Sequence, residues 1–195
     1  MSKKIFPKVG TVALVAVMAV PFAANAESTF VTGTGSPITT TARVDFQIQI
    51  PKFLTLQVGS AGATIDTITF APTATDLING TAVDGTGGNA GPSGVSTVVR
   101  GNNGGVSLVA NTTGPLLSGL DSIDWSQITT TSSSAGLPAP SIVTGGPGTT
   151  ASVTANLAGG RVTNQSATWT YQFLNSTVAP QGTYTGRVTY TASMP

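Results

Sequence analysis

Along the last fourteen residues, Gly182-Thr-Tyr-Thr-Gly-Arg-Val-Thr-Tyr-Thr-Ala-Ser-Met-Pro195, side-chain character alternates one residue at a time. Tyr184, Val188, Tyr190, Ala192 and Met194 share one parity; Thr183, Thr185, Arg187, Thr189, Thr191 and Ser193 share the other. Successive side chains of a strand point to opposite faces, so this pattern predicts a half-buried strand with an apolar inner and a polar outer side. Gly186 breaks the apolar row between Tyr184 and Val188. It leaves a gap on the inner face that admits a close neighbour, from the chain's own core or from another subunit's strand.

The clearest alternation in the first half sets Val44, Phe46, Ile48 and Ile50 against Arg43, Asp45, Gln47 and Gln49, and predicts a second strand. Pro51 stops that ladder because it has no N–H to donate. Leu54, Leu56 and Val58 resume the alternation, and Ile65 to Phe70 follows. A loop rich in Gly, Asn, Asp and Thr then runs from Ala71 to about Gly94. Short strands are predicted at Val95–Arg100 and Val106–Ala110, around a hairpin turn at Gly101-Asn-Asn-Gly-Gly105. Residues 121 to 128 fit either a strand or a single helical turn, and 129 to 150, punctuated by Pro138, Pro140 and Pro147, read as loop. Strands are expected again at 151–157 and 167–174. Trp169, Tyr171 and Phe173 fall on one face of the latter, a pattern of core packing. No segment after the N-terminal leader shows helical periodicity. Strands at this spacing without helices predict one all-β domain, an antiparallel β-sandwich.

Composition agrees, with charged residues only 8% of the chain and Gly, Ser, Thr and Asn abundant. The leader has its own signature. Lys3, Lys4 and Lys8 precede an uncharged apolar run from Val9 to Val20, and Ala24-Asn25-Ala26 supplies a small-x-small cleavage site. Residues 1–26 therefore read as a secretory signal peptide, cut after Ala26. The run is short of the roughly 20 residues a membrane span needs. No later stretch qualifies, so the mature chain is expected to be secreted with no membrane span. It keeps five basic against seven acidic residues, a net charge of −2, and offers no basic patch for nucleic acid.

The absences narrow the chemistry further. With no His and no Cys, Ser-His-Asp and Cys-His nucleophiles and ordinary zinc or copper ligation are excluded. The only Glu of the mature chain is Glu27, and the Asp residues sit mostly beside Gly, Ser or Thr, so a glycosidase-type carboxylate pair is not apparent. The expectation is no enzyme, no cofactor and no metal. Asp76, Asn79, Asp84 and Asn89 in one loop, and Asp121 with Asp124, have the oxygen chemistry of calcium ligands, but turn formation accounts for them without EF-hand spacing. Trp125, near the Pro- and Ser-rich loop, is a candidate for stacking against a sugar ring.

Several of these features together carry a family resemblance. The signal peptide, the Thr-rich mature start, the strand Thr-Thr-Ala-Arg-Val-Asp-Phe-Gln-Ile and the ending Ala-Pro-Gln-Gly-Thr-Tyr-Thr-Gly-Arg-Val-Thr-Tyr-Thr-Ala resemble chaperone–usher pilins. The ending is most similar to the archaic, spore coat U-like branch and to the alternate-type fimbrial subunits. The matched stretches are residues 39–58 and 179–195. The resemblance implies an incomplete immunoglobulin-like β-sandwich over residues 42–195, whose missing strand is supplied from outside. It implies a periplasmic chaperone, an outer-membrane usher, and identical or related subunits as partners, with residues 27–41 as the donated extension. On that reading Phe30, Val31 and Ile38 are the donor residues, interrupted by Gly33, Gly35 and Pro37, and Tyr184, Gly186, Val188 and Tyr190 border the acceptor groove. The expected role is a structural subunit of an extracellular fimbria or pilus-like fibre serving adhesion or biofilm. The alternative is a secreted β-sandwich module that stays monomeric and binds carbohydrate or another surface through Trp125.

Overall fold

A computed structural model describes residues 28–195, so the predicted signal peptide lies outside the described residues. The chain divides into two units, Met1–Ile50 and Pro51–Pro195. In the first, residues 38–50 belong to no helix or strand. The strand predicted at 43–50 is not assigned as a strand.

The second unit is an all-β sandwich of antiparallel sheets. Its strands are β1 (Leu54–Val58), β2 (Ile68–Thr69), β3 (Val83–Asp84), β4 (Thr86–Gly87), β5 (Gly94–Gly101), β6 (Val106–Thr112), β7 (Leu116–Ser118), β8 (Asp121–Ile123), β9 (Ile128–Ser132), β10 (Gly146–Pro147), β11 (Ala151–Val153), β12 (Thr163–Phe173) and β13 (Thr189–Ser193). One helix, α1 (Ala74–Asn79), sits in the long loop that the composition predicts. Thr73 and Asp76 form a reciprocal capping box at its start, and Gly80 closes it in the left-handed conformation. That box is local chemistry, which is why so short a helix forms inside a Gly- and Thr-rich stretch.

In the first sheet β5 lies between β1 and β12, and β12 pairs in turn with β9 and the short β3. In the second, β6 is central. Asn111 pairs with both Pro147 and Thr189, and Leu108 with both Ala151 and Ala192. A strand has only two edges, so β13 takes one side of β6 and β10 with β11 share the other. β5 and β6 belong to different sheets, so Gly101–Gly105 is an arch between layers rather than the hairpin expected. Their inner rows require this. Val95, Val99, Val106, Leu108 and Ala110 are all buried and face one another across the sandwich.

The core also holds Trp169, Tyr171 and Phe173, as their shared parity predicts. Trp169 is fully buried and donates its indole N–H to the Leu137 carbonyl at 3.2 Å. The 121–128 stretch resolves into both of its alternatives, β8 followed by a 3-10 turn at Trp125–Gln127. Part of the expected 129–150 loop is strand, since β9 pairs with β12 from Trp169 to Phe173.

Candidate functional site

An edge strand is one whose outer N–H and C=O groups meet no partner, and folded β proteins usually blunt such edges with charge, proline or a covering loop. The two long sides of this sandwich differ in that respect. On one side, the loop joining β9 to β10 crosses from the first sheet to the second, and Leu137, Pro140 and Ile142 of that loop are buried beneath it. Ile128 of β9 and Val153 of β11 are buried there too. This side is sealed.

The other side is formed by β1 and β13. Among the described residues β1 pairs only with β5, and β13 only with β6. The two strands approach each other across the layers, and a Cβ placed on Gly101 of β5 would lie 2.8 Å from the Met194 sulfur. The inward row of β1 is Leu54, Leu56 and Val58; that of the terminal strand is Val188, Tyr190, Ala192 and Met194. All seven pack against the core, yet every one stays only partly buried. Leu-Thr-Leu-Gln-Val and Thr-Tyr-Thr-Ala-Ser contain neither charge nor proline, so nothing on these edges discourages a further strand.

Tyr190 ties the terminal strand to the core. Its ring packs against Trp169 with centroids 5.2 Å apart and planes tilted by 55°. Its hydroxyl lies 3.1 Å from that of Tyr171. Burial, then the Tyr171 hydroxyl beside it, holds the Tyr190 phenol well above its ordinary value of 10.0, and burial likewise raises Tyr171. Both stay neutral at physiological pH.

The other predicted site residues fall elsewhere. The gap beside Gly186 is filled from this chain: a Cβ there would meet Trp125 at 2.7 Å and Leu116 at 3.3 Å. Trp125 is 6% exposed and donates its indole N–H to the Gly114 carbonyl at 2.8 Å. A ring so enclosed has no free face for a sugar, which removes the residue on which carbohydrate stacking rested. Tyr184 is partly exposed and bonds the Pro180 carbonyl. Phe30, Val31 and Ile38 are all exposed.

The acidic residues serve local structure. Asp76 caps α1, and its carboxyl is held below the ordinary value by the Thr73 hydroxyl and N–H. Asp124 caps the 3-10 turn, lowered first by the Thr144 hydroxyl and then by Ser126. Asp84 accepts from the Gln172 amide, and Asp66 from Ser60. Asn89 accepts from the Ser96 N–H. Among the described residues no three His, Cys, Asp or Glu side chains converge as metal ligands. Of two surface depressions, one of about 460 Å³ mixes Leu56, Val58, Ala61 and Val98 with Thr, Gln and Ser, one of about 720 Å³ is lined mainly by Thr, and each holds one arginine and no carboxylate.

What sequence reasoning missed is the pair formed by β1 and β13. Both alternating stretches, 54–58 and 188–194, are legible in the sequence, but nothing in it places the first beside the second. No protein-family model, no curated protein and no solved structure matches the chain.

Proposed function

We propose that this protein is a structural subunit of an extracellular fibre, in which copies join by adding a strand to the open side of the next sandwich. The observation that carries this reading is the asymmetry of the two sides. One is sealed by a buried loop, while β1 and β13 leave seven apolar residues half-covered along uncharged edges. A strand added along the free edge of β1 or of β13 extends that ladder, the usual mode of β-strand addition.

The leader supports export, and the absence of His and Cys supports a role in assembly rather than catalysis. An unguarded edge pairs readily with whatever strand it meets. In transit that favours a periplasmic chaperone over the edge and an outer-membrane usher that hands the subunit on. Adhesion or biofilm formation is the role such a fibre serves. Negative-stain microscopy and size-exclusion chromatography of protein recovered from the cell surface test the reading. Filaments and high-mass species are expected, and a uniformly monomeric protein overturns it.

A further inference from the structure

We propose that the depression on the outer face of β6 and β13 binds an acidic saccharide, with Arg187 holding a sugar carboxylate and Asn111, Thr113, Thr185, Thr189 and Thr191 holding sugar hydroxyls. The site lies on the face of the second sheet and not along its edge, so it goes beyond the fibre reading and does not depend on it.

The outward parity of the terminal segment gathers these groups. Thr185, Arg187, Thr189 and Thr191 are exposed and share one side of the chain, and pairing of β13 with β6 sets Thr189 opposite Asn111. The antiparallel bridge between Thr185 and Leu117 carries the same run past the end of β13. Same-face residues lie about 6.7 Å apart along a strand and opposed side chains about 5 Å apart across it, so the groups form two adjacent rows. The depression they line, about 720 Å³, is of a size that takes a small ligand.

What sets this depression apart is that its polar groups are unspent. Elsewhere such groups serve the fold: the Asn102 amide donates to the Pro51 carbonyl, and the Thr163 hydroxyl to the Gly104 carbonyl. The smaller depression follows that rule. There the Gln57 amide donates to the Gly59 carbonyl at 2.9 Å, the Ser60 hydroxyl to Asp66 at 2.9 Å, and Arg100 Nε to the Asn164 side-chain oxygen at 3.3 Å. In the larger one only the Thr112 side chain is committed. Its hydroxyl donates to the Val143 carbonyl at 2.6 Å and accepts from the Gly145 N–H at 3.0 Å. The Arg187 guanidinium, the Asn111 amide and the other four hydroxyls bond to no described residue.

The chemistry of the set selects the ligand. Arg187 offers a planar fork of N–H donors that matches a carboxylate in a bidentate pair, and no carboxylate of this chain lines the depression to compete for it. Hydroxyls and an amide each donate and accept, which is what sugar hydroxyls require of their partners. Nucleic acid fits poorly, because it calls for several cations and for aromatic platforms, and this lining has one cation and no aromatic ring. An acidic peptide would satisfy Arg187 but would bring no row of hydroxyls to the threonines.

The test is calorimetric titration of the exported chain with an oligogalacturonate at low salt. Neutral dextran oligosaccharides and oligoglutamate serve as comparison probes. The oligogalacturonate should bind about tenfold or more tightly than either, and added sodium chloride should weaken it. Arg187→Gln keeps an amide donor and removes the charge, and should weaken binding by about tenfold or more. Thr189→Val with Thr191→Val should weaken it about threefold and leave the salt dependence unchanged. Arg161→Gln, at an exposed arginine outside the depression, should bind like wild type. In the wild-type chain the oligogalacturonate should slow amide exchange over 185–191 and not over 54–64, a readout that needs no variant. Absence of wild-type binding overturns the proposal, as does an equal loss in the Arg161 and Arg187 variants. Equal affinity for oligoglutamate overturns the saccharide in favour of an acidic peptide.

Discussion

At Gly186 a missing side chain is a packing requirement. The indole of Trp125 occupies the space where a Cβ would sit, so Gly186→Ala overpacks a site whose neighbours are already enclosed. Such overpacking costs about 1–3 kcal/mol. Urea unfolding should show a loss of that size, and Trp125→Phe in the same chain should recover part of it, giving a non-additive cycle. Thr97 is the opposite case. It is fully buried between Val58 and Ala167 on β5, and its hydroxyl has no partner. Thr97→Val keeps the shape and removes the unsatisfied group, so it should raise stability by about 1 kcal/mol. A lower midpoint in the same assay would mean that the hydroxyl has a partner. Asn175 begins a glycosylation-type triplet, but it is buried and its amide donates to the Asp76 carbonyl at 2.7 Å.

At the scale of elements, the terminal strand forms only over Thr189–Ser193, shorter than the alternation from Tyr184 predicts, with Tyr190 and Ala192 inward and Thr189, Thr191 and Ser193 outward. The alternation at 43–50 is as clear and yields no ladder. A period of two reports which face a side chain takes once a partner strand is present, and it carries no information on which chain supplies that partner. The arch at 101–105 shows the same limit, because a Gly- and Asn-rich turn permits a reversal without choosing between one sheet and two. β13 is also held by the Tyr171–Tyr190 hydroxyl pair, which links it to β12 in the facing sheet. Both phenols have folded pKa values above their unfolded value of 10.0. Their contribution is complete below about pH 10 and is lost as pH rises through the folded values. Chemical denaturation at increasing pH should therefore show stability falling above pH 10. The Tyr171→Phe, Tyr190→Phe double variant should show a shallower fall.

At the scale of the molecule, a sandwich with one sealed and one open side is a one-sided object. On the proposed fibre reading each copy presents a strand to the next one's open side, a head-to-tail contact that grows into a filament where its rotation does not close a ring. No helix among the described residues is long and apolar enough to cross a membrane. The fold itself was legible in the low charge, the Thr- and Gly-rich spacing and the alternating stretches. The candidate edge was half legible. Val188 and Tyr190 are where parity places them, but their partner row in β1 is brought beside them only by sheet pairing.

Sequence by itself determined the class of fold, the inward and outward faces of its strands, and the exclusion of His- and Cys-based chemistry. Each of these follows from side-chain type and a two-residue period, which are local properties. Only tertiary structure decided that Trp125 and Gly186 fill one another's space, that β5 and β6 part into separate sheets, and that β1 and β13 each pair on one side alone. Those outcomes depend on which segments meet across long sequence separations, and a pattern that repeats every two residues is the same whether its partner strand is near, distant or on another copy.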